Sequence, residues 1–187
     1  MTVLSDITFA EPNPPTTSEA IREVERHFGI TFPEDYRAFL LKYNGGYRPD
    51  RSIITYPHPD GIRRWGSTSS FWGVLIGKNE KLNETNVKLW GTEEYQPYVR
   101  HGNYPIAIFP FAMDPGAGHF CIGIKSDEPN FDRIFFHEPS AFVDKEEDSL
   151  EDIDILDMTF SEFFNNLMTE EDADKLSSSL STNALGS

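Results

Sequence analysis

"FPEDYRAFLLKYNGG", residues 32–46, is the stretch whose reading decides the fold. Pro33 carries a φ preset for a first helical turn, and Thr31 followed by Glu34 has the spacing of a capping box. Tyr36, Phe39, Leu40 and Tyr43 recur at i, i+3, i+4 and i+7, which lines four bulky side chains along one helical stripe. Asn44, Gly45 and Gly46 end the helix, because Asn and Gly tolerate the left-handed backbone found at helix termini. The stretch reads as scaffold: an amphipathic helix laid on a sheet, with a chain reversal beside it.

Upstream, "TTSEAIREVERHF" (16–28) sets Ile21, Val24 and Phe28 on one face, with Thr16 and Glu19 as a start signal and Gly29 as the stop. Downstream the pattern turns strand-like. "SFWGVLIG" (70–77), "YPIAIFPFA" (104–112), "HFCIGIK" (119–125) and "RIFFHE" (133–138) are short, β-rich and divided by turn residues such as "DPGAG" (114–118) and "DEPN" (127–130). They predict neighbouring antiparallel strands. Within 119–125, Phe120, Ile122 and Ile124 alternate with Cys121, Gly123 and Lys125, which predicts one buried face and one less buried. Residues 78–102 read as a loop with a short helix. "TFSEFFNNLM" (159–168) closes the pattern as a helix, with Thr159 and Glu162 as its capping box and Phe160, Phe163, Phe164 and Leu167 as its apolar face. The expectation is a single domain over residues 1–170 and a Ser-rich, flexible tail over 171–187.

With 38% hydrophobic residues and 15 Phe in 187, the chain has the bulk for a real core. One cysteine, Cys121, forms no intramolecular disulfide, and the start "MTVLSDITFAEPNPP" has neither the basic nor the apolar region of an export signal. No run of about 18 apolar residues occurs. A soluble, cytoplasmic protein is expected, and the sequon at Asn83, Glu84 and Thr85 is then unused.

The formal net charge is -15, and it is unevenly placed: residues 144–174 hold 13 acidic residues against one basic, Lys145. Such an envelope repels phosphate backbones and anionic lipid heads, so neither direct nucleic-acid binding nor membrane binding is expected. A basic protein partner is favoured.

Candidate chemistry is sparse. The histidines 27, 58, 101, 119 and 137 show no metal-ligand spacing, so no metal and no cofactor are expected. His119 and Cys121 share a strand face as a thiol–imidazole couple would, a spacing that also suits a half-buried structural cysteine. "DPGAGH" lacks the Lys-Ser/Thr of a phosphate loop and reads as a turn. Asp114, Glu138 and the run Glu146, Glu147, Asp148, Glu151, Asp152 and Asp154 could be paired general acids, but the run lacks the glycine of a calcium hand. It suits either a solvated segment or a surface that meets a cationic partner.

The order of these pieces resembles the SMI1/KNR4 family, also called SUKH. Its L-P-x-D-Y-x-x-F-L-x-x-N-G-G helix pattern is answered by Phe32, Pro33, Asp35, Tyr36, Phe39, Leu40, Asn44, Gly45 and Gly46, with Phe32 in place of leucine. A second pattern is similar at Pro105 to Ala107, at Gly116 and Gly118 split by Ala117, and at Cys121 to Ile124. The resemblance covers about residues 18–168. It implies an α+β fold: an antiparallel twisted sheet with two N-terminal helices and a C-terminal helix packed around it. It also implies an immunity protein that blocks a toxin encoded beside it, often a nuclease, by stoichiometric occlusion without catalysis. The alternative is a regulatory or assembly scaffold of the eukaryotic kind, and a hydrolase using His119, Cys121 or the carboxylates is a third reading. For the contact itself, aromatic hot spots point to Tyr47, Trp65 and Trp72, Trp72 suiting the core equally, alongside Asp114, Glu138, Glu146, Glu147, Asp148, Glu151 and Asp152.

Overall fold

The computed structural model describes residues 4–58, 60–79, 84–89, 108–116, 118–137 and 153–184. In chain order the elements are β1 (Phe9–Pro12), α1 (Ser18–Phe28), α2 (Glu34–Lys42), β2 (Gly46–Pro49), β3 (Ile53–Tyr56), β4 (Arg64–Ser67), β5 (Ser70–Phe71) and β6 (Val74–Asn79). After them come β7 (Glu84–Leu89), β8 (Ile108–Met113), β9 (His119–Gly123), β10 (Ile134–His137), β11 (Ile153–Ile155), α3 (Phe160–Asn165) and α4 (Glu170–Ala184). Seven strands form an antiparallel sheet in the order β1-β2-β5-β8-β9-β10-β11, while β3-β4 and β6-β7 make separate hairpins. The class is α+β, as expected.

Helix α1 starts one residue later than its sequence suggests. Thr17, not Thr16, accepts the Ala20 N–H through its side chain, and Gly29 ends the helix at φ 65°. Helix α2 departs further. Pro33 stands at its N-cap with no side-chain cap, and the Thr31 N–H is spent on the Ile124 carbonyl at 3.0 Å. The start is secured from α1 instead: Glu25, a buried carboxylate, accepts the Phe32 N–H at 2.7 Å and the Arg37 guanidinium at 2.6 Å. A charged acceptor satisfies an orphan donor more strongly than a hydroxyl would, and here it also ties the two helices together.

The apolar stripe of α2 does what its spacing predicts. Tyr36, Phe39 and Leu40 are buried, and Phe39 lies between Phe71 at 5.5 Å, Phe160 at 5.3 Å and Phe164 at 5.2 Å between ring centroids. Helix α3, with both bonds of its Thr159/Glu162 capping box in place, supplies two of those rings and sends Phe163 to Phe111 and Phe120. One aromatic layer thus joins two helices to the sheet.

The turn after α2 is more than a stop. Asn44, at φ 52°, accepts the Val74 N–H at 2.7 Å and donates to the Val74 carbonyl and the Pro14 carbonyl. A Cβ on Gly45 would lie 2.4 Å from the Phe71 carbonyl oxygen, and one on Gly73 would lie 1.9 Å from that of Asn44. These backbones touch because three side chains are missing or polar.

That contact corrects the expectation of one strand over 70–77. The chain breaks at Trp72 and Gly73, since Val74 is bonded to Asn44 rather than to a ladder neighbour of β5, and β6 turns away to pair with β7. Residues 84–89, expected in a loop with a short helix, are the strand β7. Of "YPIAIFPFA", Ile108 onward is strand, and residues 104–107 lie outside the described part.

Strand β9 corrects a second expectation: both of its faces are buried. Phe120 and Ile122 enter the main core with Phe109, Phe111 and Ile134, while Cys121 joins Ile108, Phe135 and Ile153 in a small cluster on the opposite face. The Ser-rich end, expected to fray, is helical as α4 with Ala173 buried. Thr169 caps it by accepting the Asp172 N–H at 3.2 Å.

Candidate functional site

Two of the exposed large apolar side chains among the described residues, Ile62 and Trp65, belong to the β3–β4 hairpin. Its register sets Ile54 opposite Gly66 on the inner face, where a Cβ on Gly66 would come 3.0 Å from the Phe120 ring. Period two then forces Ile53, Thr55, Trp65 and Ser67 onto the other face. Trp65 is 44% exposed, and Ile62, in the connecting loop, is 60% exposed. Apolar side chains of this size in solvent are candidates for a contact.

Charged bonds hold that loop in shape. Asp60 accepts from Arg64 at 2.6 Å and lies 2.9 Å from His58, whose other ring nitrogen is 3.3 Å from Asp154 on β11. The Ile62 N–H and then the His58 side chain hold the Asp60 carboxyl below its ordinary range.

The hairpin's root is pinned to the far end of the chain. The Ser52 and Ile53 N–H groups donate to the Met168 carbonyl, and the Met168 N–H returns a bond of 2.8 Å to Ile53. This places α4 beside the hairpin and leaves between them a groove of about 490 Å³ lined by Ile53, Trp65, Asp114, Ala173, Asp174 and Ser177 among others. Asp114 has a structural task as well: its Oδ1 accepts the Gly118 N–H at 2.6 Å and closes the β8–β9 turn.

The structure therefore brings two of the contact residues expected from sequence, Trp65 and Asp114, to one groove. Tyr47 is exposed on β2 but does not line that groove. Trp72 takes the core alternative: it is 8% exposed, with its backbone N–H bonded to the Phe111 carbonyl and its ring 5.6 Å from His119. Glu138, Glu146, Glu147, Asp148, Glu151 and Asp152 lie outside the described residues. Sequence reasoning missed Ala173 and Asp174, which it assigned to a frayed tail. The signal was present in Thr169 and Asp172, a Thr-x-x-Asp helix start.

His119 and Cys121 do share a face of β9, and the Cys121 thiol leans toward the His119 carbonyl at 3.8 Å. Their surroundings oppose a nucleophilic couple. Burial pushes the thiol up, well above its ordinary range, and burial followed by the charge of His137 pushes His119 down to about 4. Thiol and imidazole are both neutral near pH 7, whereas an activated couple needs thiolate beside a proton acceptor. Among the described residues no three His, Cys, Asp or Glu side chains gather as a metal would require. No helix among them is long and apolar enough to cross a membrane.

Comparison with known proteins agrees with this scaffold. The SMI1/KNR4 family (SUKH-1) matches residues 15–166, so the chain belongs to that family. It is similar to the SPbeta prophage-derived uncharacterized protein YokK of Bacillus subtilis (strain 168), 24% identical over 166 residues, which is 85% of this chain and 79% of that one. It is also similar to the uncharacterized protein YnaB of Bacillus subtilis (strain 168), 43% identical over 42 residues, which is 22% of this chain and 28% of that one. No solved structure matches it.

Proposed function

We propose that this protein is a cytoplasmic immunity protein that neutralises a basic toxin domain by stoichiometric occlusion, without turnover. Membership of the SMI1/KNR4 family, whose members are often of immunity type, is the observation that carries the reading. The charge pattern fits it: a net charge of -15 draws a cationic partner in and raises its association rate over a screening length of about 8 Å in physiological salt. The neutral, buried state of Cys121 and His119 fits a binder better than a hydrolase.

The test is direct. The purified chain is mixed with the polypeptide encoded beside its gene, and complex stoichiometry, toxin activity and association rate are followed. A one-to-one complex that abolishes toxicity, with an association rate falling about tenfold or more between low and high salt, is expected. Toxicity that persists with the chain in excess sinks the reading. Several unrelated stable partners and no neighbouring toxin point to the regulatory scaffold instead.

A further inference from the structure

We propose that the groove between the β3–β4 hairpin and α4 seats an arginine side chain of the partner protein, its guanidinium laid on Trp65 within the field of Asp114 and Asp174. The inference deepens the neutralisation reading and rests on it for the partner's class alone.

Each wall selects for that group. Trp65 presents an exposed indole, the aromatic face on which a weakly hydrated, planar guanidinium stacks best. Ile53 and Ala173 offer apolar surface to the three-carbon stem, which a charged side chain buries while its head stays polar. Asp114 and Asp174 add two carboxylates. Among the described residues lining the groove there is no lysine, arginine or histidine, and neither aspartate forms an ion pair with a described residue.

Competing occupants fit worse. An anion would meet two carboxylates in a chain already at -15. A purely apolar side chain would cover the same carboxylates and give them no hydrogen-bonding partner, which is unfavourable wherever polar groups lose water. A lysine ammonium satisfies the charge but is a compact, strongly hydrated point that gains less from the indole face.

The test uses the full chain, ¹⁵N-labelled, titrated with a capped glycine–arginine–glycine peptide and with the same peptide carrying neutral citrulline. The readout is the indole N–H signal of Trp65, identified by its loss in Trp65→Phe. Arginine peptide is expected to move that signal with a dissociation constant on the order of 1 mM, as one stacked and charge-assisted contact allows. Citrulline should bind at least about fivefold more weakly, and Asp114→Asn with Asp174→Asn should weaken the arginine peptide by about fivefold to tenfold. Asp114→Asn keeps an oxygen for the Gly118 N–H, so the turn survives while the charge is lost. A silent Trp65 signal, equal movement by both peptides, or movement on simple dilution, which would mean a second copy occupies the groove, each overturns the proposal. Neutralisation of a toxin with a silent peptide titration removes the groove and leaves the functional reading. A responsive Trp65 in a chain that neutralises nothing does the reverse.

Discussion

At Phe39 five aromatic rings close around a side chain with no exposed surface; at Trp65, on the next hairpin, an indole of comparable bulk is left 44% in solvent. The first region is over-determined. The α2 stripe, the α3 rings, the Asn44 bonds and the glycines at 45 and 73 all require the same arrangement, so a change at one is felt by the rest. Among the described residues the hairpin is held at its root by Met168, along its inner face by Ile54 and Gly66, and at its loop by the contact of His58 with Asp154. On its outer face Ile53 and Thr55 are half-buried, while Trp65 stays 44% exposed and is available for contact.

The largest break of that contrast is Phe39→Ala. Removing a ring enclosed by Tyr36, Tyr43, Phe71, Phe160 and Phe164 should destabilise the fold by about 3–5 kcal/mol, read as a shift of the urea midpoint at constant slope. A loss under about 1 kcal/mol would mean the aromatic layer collapses to fill the gap, and the two regions would not differ in kind.

A second measurement probes a place that is buried and polar at once, His119. Its folded pKa of about 4 lies below the ordinary 6.5, so the unfolded chain binds the proton more readily. The contribution is complete above pH 6.5 and is lost as pH falls toward 4, by on the order of 3 kcal/mol over that window. In His119→Gln the stability should change less steeply with pH across the same range. An unchanged slope would show that the imidazole keeps water access and that this face of the sheet is less closed than its burial indicates.

The smallest effect belongs to Trp65→Ala. Thermal stability should move by less than about 1 kcal/mol, while affinity for a neutralised partner drops by more than about tenfold, as hot-spot tryptophans do. A large stability loss with unchanged affinity would make the hairpin part of the scaffold and erase the distinction.

How much of this was legible in the chain follows the range of the forces involved. The α2 stripe and the Thr159/Glu162 box are local patterns, set by neighbours three and four residues apart, and both stand as their spacing predicts. The cap at Thr31 failed because its own N–H, which the Glu34 side chain would have taken, is bonded to the Ile124 carbonyl on a distant part of the chain, while Glu25 of α1 takes the Phe32 N–H. The strand over 70–77 failed because Asn44 bonds Val74 across a sequence separation of 30. Sequence singled out Trp65 as a contact candidate, and the structure leaves it exposed, but nothing in "RRWGS" says that Asp114 and Asp174 share a groove with it.

Sequence by itself determined the helical stripes, the strand-rich centre, the acidic surplus and the Asn-Gly-Gly corner, since each rests on side-chain size, charge or backbone freedom within a few residues. Tertiary structure alone decided that Trp65 is exposed and Trp72 buried, that both faces of β9 are buried, and that α4 returns beside the β3–β4 hairpin. Those outcomes depend on which backbone donors and apolar faces meet across the chain, and long-range pairing of that kind leaves no periodic mark on the residues that take part in it.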